Sequence, residues 1–208
     1  MVIWNDLEKP WKLAMELAWE SFKSGSLPIA AVIVDLDENV VAIGRNRILE
    51  PHFKNRKMAH AEMTALMDLD YNEHPEIRKY TMYATLEPCP MCMGTIVMSD
   101  VRKLRIASRD PWAGAVGICE FPYIASKNMD IIFEDSDMSK IITVVYLYRL
   151  LEGYRTNAVN FMKSLAKHFP IEIEFAQKLL SENVLRDFAD NGTNIEEAYN
   201  YLGGKLSL

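Results

Sequence analysis

The sequence predicts an α/β protein in which helices cover a β-sheet, followed by a C-terminal part that is entirely helical. Helix and strand patterns alternate through the first two-thirds of the 208-residue chain. This order is typical of a sheet sandwiched between helices. From residue 138 on, apolar residues recur at helical spacing and no strand pattern is evident. We therefore expect a domain at residues 1–137 and a helical extension at residues 138–208 packed on it.

The N-terminal elements begin with a helix predicted over residues 10–24. Its apolar residues lie on one face, a proline stands near its start and a glycine follows its end. β-branched runs at 27–36 and 39–46, separated by two acidic residues, predict a hairpin of two strands. Residues 47–58 contain a proline and several charges, so we expect a loop there.

The next elements alternate between helix and strand. Helices are predicted from His60 and from Pro90. Proline is favoured at a helix start, because the N–H that it lacks would have no partner within the helix there. Strands are predicted at 81–86, 103–108 and 129–135.

The extension is predicted to hold several short helices. Apolar stripes lie at 141–151, 161–169, 175–188 and 195–202. Pro170 and the NGTN sequence at 191–194 predict breaks between helices. Positive and negative residues balance from residue 138 on, so the net charge of −6 arises in the first part.

Composition limits the class of protein. Half of the residues are hydrophobic, which is enough for a core without disulfide bonds. Three cysteines, an odd and small number, argue against a disulfide scaffold and fit a reducing compartment. We see no secretory signal and no apolar run long enough to span a bilayer, so we expect a cytoplasmic protein without a membrane partner. The negative net charge disfavours a polyanionic partner.

The sequence TLEPCPMC at residues 85–92 places Cys89 and Cys92 three apart. Such a pair serves redox chemistry, a structural metal or a catalytic metal. His60 stands 29 residues before Cys89, and Glu62 follows two residues later. One histidine and two thiolates are three good zinc ligands, and the open fourth position of such a site can hold water.

Two alternatives remain at this point. Cys119 could close the metal site as a fourth ligand, and His52, His74 and His168 are further candidates. A redox pair would instead form a reversible disulfide between Cys89 and Cys92. Both alternatives leave Glu62 unexplained. The sequences HAE at 60–62 and PCPMC at 88–92 together match the signature of zinc deaminases.

The local physics agrees with a metal site. The histidine and the cysteine pair fall at predicted helix starts, where free N–H groups and the helix dipole lower the pKa of thiols. We predict that Glu62 carries protons between water, a ring nitrogen and the departing ammonia, with a pKa raised by burial. The alternative for Glu62 is a first-turn acid that only complements the helix dipole.

The quoted residues resemble the cytidine and deoxycytidylate deaminase superfamily, in particular its branch with tRNA adenosine deaminases, guanine deaminases and yeast-type cytosine deaminases. The similar segments are LPIAAVIV, GRNR, AHAE, TLEPCPMCMGTI and RDPWAGAVG. The resemblance implies a three-layer α/β/α cytidine-deaminase-like fold with a five-stranded mixed sheet. It also implies a homodimer, one Zn²⁺ per chain and hydrolytic deamination.

The resemblance also implies roles for individual residues. His60, Cys89 and Cys92 would bind zinc, and Glu62 would be the catalytic acid and base. The implied substrate-binding residues are Asn46, Ala30, Ala31, Ala61, Glu87, Asp110 and Trp112. Among these, Asn46 would hydrogen-bond the substrate, Ala30 and Ala31 would line the pocket floor, and Glu87 would support the zinc loop. Asn46 could equally be a turn residue, and Trp112 could simply cover the core.

We expect the substrate to be a small amino-substituted heterocycle, either a free nucleobase or a nucleoside. A tRNA adenosine deaminase is the alternative, disfavoured by the acidic chain. A further alternative is a zinc-stabilised binding module without activity. The extension could wall off the pocket mouth, enlarge a dimer interface, or form a separate helical appendage.

Overall fold

The computed structural model describes residues 3–51, 53–153 and 159–206. Its centre is a five-stranded sheet of β1 (Ala30–Val34), β2 (Val40–Arg45), β3 (Thr81–Leu86), β4 (Lys103–Ser108) and β5 (Asp130–Phe133). The strand order is β2-β1-β3-β4-β5. β1 runs antiparallel to both of its neighbours, whereas β3, β4 and β5 are parallel. The predicted five-stranded mixed sheet is confirmed.

Helices cover both faces of the sheet. They are α1 (Lys9–Lys23), α2 (Ala61–Asp68), α3 (Pro90–Met98), α4 (Pro122–Ala125), α5 (Asp137–Leu151), α6 (Val159–His168), α7 (Pro170–Ser181), α8 (Val184–Asp190) and α9 (Ile195–Lys205). Successive side chains of β1 point to opposite faces, and all five are buried. α1 and α2 both pack against β1, α2 contacts α3, and α5 packs against β4. The three-layer prediction is confirmed.

Most element boundaries follow the sequence pattern. β3 and β4 have the predicted bounds. β1 begins at Ala30 rather than at residue 27, because Pro28 has no N–H to donate to a neighbouring strand. The short helix α4 was not predicted. No helix in the described part of the chain has both the length and the apolar character to cross a bilayer.

One edge of the sheet gathers the polar residues of interest. Parallel strands β3 and β4 end at this edge, and antiparallel pairing brings the end of β2 and the start of β1 to the same place. Asn46 follows β2, Glu87 follows β3, and Asp110 lies just beyond β4. Ligand sites form at the carboxyl ends of parallel strands, so this edge positions the candidate site.

The extension shares its core with the sheet. One continuous hydrophobic cluster contains side chains of the strands and of α5 to α9. Hydrogen bonds also cross between the parts: the Trp19 indole N–H donates to the Thr193 carbonyl at 2.9 Å, and the Trp4 amide donates to Asn200 at 3.0 Å. α5 packs against both β4 and α7. The boundary between residues 137 and 138 therefore stays a prediction.

Candidate active site

Three potential metal ligands meet at the edge of the sheet. The Sγ atoms of Cys89 and Cys92 are 3.6 Å apart, and the Nδ1 atom of His60 lies 3.7 Å from Cys89 Sγ and 3.5 Å from Cys92 Sγ. A tetrahedral zinc ion with ordinary bond lengths places two sulfurs about 3.8 Å apart and a nitrogen and a sulfur about 3.6 Å apart. The three side chains therefore fit a zinc ion without rearrangement.

Two helix starts hold this cluster. His60 is the N-cap residue of α2 and Cys89 is that of α3, and both have extended backbones. Cys89 precedes Pro90, which disfavours helical backbone at the residue before it and is itself well suited to a first helical position. Cys92 lies one turn into α3. The positive ends of both helix dipoles thus point toward the cluster and favour thiolate ligands.

The pKa values of the two thiols are shifted in opposite directions. A hydrogen bond with Cys92, outweighing the opposing effect of burial, lowers the pKa of Cys89 to about 4. The same hydrogen bond, together with burial and the nearby Glu62, raises the pKa of Cys92. Zinc is bound by thiolates, so a metal ion held by the cluster would favour the loss of both thiol protons.

The other candidate ligands lie elsewhere. Cys119 is on a short 3₁₀-helix at Val116–Glu120 and is not part of the metal-binding cluster found among the described residues. His74 interacts with the Tyr80 hydroxyl, and His168 with the Ser164 carbonyl. His52 lies outside the described residues. All three cysteines are free thiols, so the structure contains no disulfide between Cys89 and Cys92.

Glu62 is a buried carboxyl group beside the cluster. It lies in the first turn of α2 and is only 4% exposed. Burial is the main cause that raises its pKa above the ordinary value. Residues two apart within a helix point away from each other, but His60 precedes the helix and is extended, so both side chains face one cavity. A carboxyl group with a raised pKa is suited to carry protons.

The cavity in front of the cluster has a volume of about 110 Å³. It is smaller than the pockets of about 300–1,000 Å³ that hold drug-sized ligands. The lining residues are Leu27, Ile29, Asn46, Ile48, His60, Glu62, Leu86, Glu87, Cys89, Asp110, Trp112, Ala113, Tyr146, Leu150 and Phe161. Three of these residues are acidic and none is lysine or arginine, within the described part of the chain.

Asn46 presents a hydrogen-bond donor to the cavity. Its Oδ1 atom accepts hydrogen bonds from the Ser26 hydroxyl at 2.9 Å and from the Ile48 amide at 3.3 Å. These two bonds fix the orientation of the carboxamide. Since Asn46 lines the cavity and its oxygen is already engaged, its NH₂ group is available to a ligand.

Glu87 ties the zinc loop to the loop after β4. Its carboxylate accepts hydrogen bonds from the Asp110 amide at 3.3 Å and from the Val116 amide at 3.4 Å. Asp110 in turn accepts from the Trp112 and Ala113 amides, both at 2.9 Å. Both loops are therefore held in one arrangement around the cavity.

Three alanines predicted for the site lie outside the lining of the cavity. Ala30, Ala31 and Ala61 are fully buried and are not among the residues that line the cavity. The backbone amide of Ala30 instead donates a hydrogen bond to the Thr85 hydroxyl within the sheet. Ile29, just before β1, lines the cavity, because all residues of β1 itself are buried in the core.

Sequence reasoning missed the C-terminal wall of the cavity. Tyr146 and Leu150 of α5 and Phe161 of α6 line it. Phe161 belongs to an apolar stripe that predicted a helix, and Tyr146 and Leu150 lie within the span of another such stripe. Periodicity shows which face of a helix is buried, but it cannot show that part of this face borders a cavity.

The fold and the site define the class of this protein: an α/β protein with a zinc site at two helix starts and a buried carboxyl group beside it. Residues 5–108 match the family model of the cytidine and deoxycytidylate deaminase zinc-binding region. This match covers half of the chain and includes all three cluster residues, so the chain belongs to this family and its metal cofactor is zinc.

Individual relatives carry different substrates in their names. A tRNA-specific adenosine deaminase of Haemophilus influenzae is 35% identical over 111 residues, which cover 53% of this chain and 62% of that protein. A cytosine deaminase of Candida albicans is 29% identical over 99 residues, covering 48% and 64%. The chain thus spans about three-fifths of the length of the curated relatives it matches.

A solved structure supports the fold independently. A protein crystallised in complex with 2,6-diaminopurine has a TM-score of 0.51 with this chain and 21% sequence identity. The alignment covers 72% of this chain and 84% of that one. At this identity the likeness shows a shared fold.

Proposed function

We propose that this protein is a zinc-dependent hydrolytic deaminase of a small amino-substituted heterocycle, either a free nucleobase or a nucleoside. It replaces an amino group on a ring carbon by oxygen from water and releases ammonia. The observation that carries the proposal is the buried Glu62 beside the cluster of His60, Cys89 and Cys92, within one cavity.

The chemistry divides between the metal and the protein. His60, Cys89 and Cys92 would hold zinc, which when bound activates water for attack on carbon. Glu62 takes one proton from the attacking water and gives it to a ring nitrogen. It then carries the second proton to the amino group, which leaves as ammonia. Its raised pKa suits both directions of transfer.

The cavity supports a substrate without phosphate. Its described lining offers three carboxyl groups and no cationic side chain, so a phosphate there would meet repulsion. The Asn46 NH₂ group can donate to a ring nitrogen or a carbonyl oxygen, acceptors that heterocyclic bases carry. Trp112 and Phe161 offer aromatic surface to a flat ring.

A tRNA adenosine deaminase is the second candidate. Similarity to a tRNA-specific adenosine deaminase favours it. In addition, Lys54, Arg56 and Lys57 are exposed on the segment that leads to His60, where they could contact a phosphate backbone.

Ammonia release tests the two candidates. Zinc-loaded protein is assayed with free bases, nucleosides and tRNA, alongside Glu62→Gln, which keeps the shape of the side chain but cannot carry protons. We expect release from a base or nucleoside and a loss of about 10²- to 10⁴-fold in kcat for Glu62→Gln. Release from tRNA alone would replace our proposal by the second candidate. No release from any of these compounds would overturn both candidates.

We also propose a homodimer, as the resemblance implies. The molar mass of the protein in solution, measured by light scattering after size-exclusion chromatography, tests this. A single species of about 24 kDa would contradict it, since the chain has a mass of 23.9 kDa.

A further inference from the structure

The C-terminal extension completes the cavity. The family match ends at residue 108, whereas α5 and α6 lie beyond it. Tyr146, Leu150 and Phe161 nevertheless line the same cavity as Glu62. Phe161 is only 3% exposed and therefore lies against the interior of the cavity rather than at the protein surface.

α6 is held against the loop after β4. The Ser164 hydroxyl donates to the Pro111 carbonyl at 3.3 Å. The rings of Phe161 and Trp112 pack edge to face, with centroids 6.0 Å apart and an interplanar angle of 75°. Leu165, one turn further along α6, is fully buried. These interactions hold α6, and with it Phe161, against the loop after β4.

Trp112, the other ring of this aromatic pair, is also held in place. Trp112 lies in the turn closed by Asp110, which accepts hydrogen bonds from the Trp112 and Ala113 amides. The backbone amide of Asp110 in turn donates a hydrogen bond to the Glu87 carboxylate. Trp112 is 51% exposed, so the pair extends from the buried side of the cavity to its mouth.

We propose that Phe161 is a specificity-determining residue that limits how large a substituent the heterocycle can carry, and that it selects the free base over its nucleoside. This inference rests on the proposed function. A flat ring that reaches Glu62 and Asn46 lies next to the Phe161–Trp112 pair. Phe161 is buried in the wall of a cavity of only about 110 Å³, so a substituent as large as a ribose would meet its ring, whereas an unsubstituted base is smaller.

Steady-state kinetics on the zinc-loaded full chain tests this selectivity. The substrates are the free base that the ammonia assay identifies and its ribonucleoside. For Phe161→Ala we expect KM for the base to rise about tenfold, because an aromatic contact to a base is lost, while kcat changes less than about twofold. The preference for base over nucleoside, as a ratio of kcat/KM, should fall about tenfold.

Two further variants make the test specific. Phe188→Ala removes another aromatic ring of the extension, one that packs on Tyr201 and does not line the cavity, and should leave the selectivity unchanged. Phe161→Trp enlarges the side chain and should lower activity on the nucleoside further while the base is still used. This second variant keeps the test decisive if Phe161→Ala fails to fold.

The outcomes separate the two proposals. If the wild type is active and Phe161→Ala shows the same preference for base over nucleoside as Phe188→Ala, the inference is overturned and the proposed function stays intact. The same holds if Phe161→Trp keeps the preference of the wild type. A wild type that prefers the nucleoside would also overturn the inference. A zinc-loaded wild type that releases no ammonia from any base or nucleoside would instead overturn the proposed function itself.

Discussion

The two sides of the cavity are built in different ways. On the zinc side, the reactive residues lie at two short helix starts, and their placement follows from a few neighbouring residues. On the C-terminal side, Tyr146 and Phe161 reach the cavity only because entire helices pack against β4 and the loop after it. Substitutions on the zinc side should therefore change chemistry first, and those on the C-terminal side should change stability or selectivity first.

The largest effect is expected on the zinc side, at Cys92. In Cys92→Ser the cluster has one thiolate fewer, so we expect bound zinc and ammonia release to be lost. Zinc content is measured by atomic absorption and activity by the ammonia assay. Cys119→Ser is the matched control, since Cys119 lies outside the cluster, and it should retain zinc and activity. Full activity in Cys92→Ser, or loss of zinc in Cys119→Ser, would contradict the ligand set.

On the C-terminal side, Leu165→Ala should act on stability. Leu165 is fully buried, and its truncation should lower the free energy of unfolding by about 2–5 kcal/mol. We expect the folded variant to keep its zinc. Urea denaturation measures the change, with the exposed Ile171→Ala as control, expected within about 0.5 kcal/mol of wild type.

The same denaturation curves test the division at residues 137 and 138. A single hydrophobic cluster joins the two parts, so fluorescence and circular dichroism should report one transition. Two separate transitions would show that the extension unfolds as a domain of its own.

Gly44 provides a smaller test of the zinc side. A Cβ atom at this position would overlap the Ala61 carbonyl oxygen, the Ala65 amide and the Thr64 hydroxyl. Gly44→Ala should therefore push α2, which carries Glu62, away from β2 and cost about 1–3 kcal/mol of stability. Gly94→Ala on α3 is the control, because a Cβ atom there meets nothing within 4 Å. Equal stability of the two variants would contradict this close approach.

The smallest expected effect concerns Glu50, which pairs with Arg45 and Arg47. Burial raises the pKa of this carboxyl group, but hydrogen bonds from Arg45 and Arg47 outweigh burial and the net pKa lies below the ordinary 4.5. A lowered pKa in the folded state stabilises the protein above pH 4.5, and this stabilisation is lost as the pH falls through the folded-state pKa.

Glu50→Gln should therefore lower the free energy of unfolding at pH 7 by about 1 kcal/mol. The difference from wild type should shrink as the pH falls below 4.5. Denaturation curves at several pH values measure it, and a constant difference across the range would exclude the ion pairs as its cause. The exposed Glu73→Gln serves as the control at each pH.

How much the sequence could predict depended on how local the interactions are. β3 and β4 have their predicted bounds, and the three cluster residues come together as the motif spacing suggested. The sequence also predicts a raised pKa for Glu62, since a carboxyl group that carries protons works best when burial raises its pKa, and burial does raise it in the structure. The sequence did not predict that Ile29 lines the cavity in place of Ala30, because this depends on where β1 begins.

The sequence by itself determined the alternating fold, the zinc ligand pattern and the candidate acid, because each is recorded in short patterns: helix and strand periodicity, HAE at 60–62 and PCPMC at 88–92. Only the tertiary structure decided which side chains complete the cavity. Phe161 lies 99 residues beyond Glu62 in the chain, and it reaches the site through the packing of α5 on the sheet and of α6 on the loop that holds Trp112. Contacts between such distant segments depend on the three-dimensional packing of several elements, and no short pattern records them.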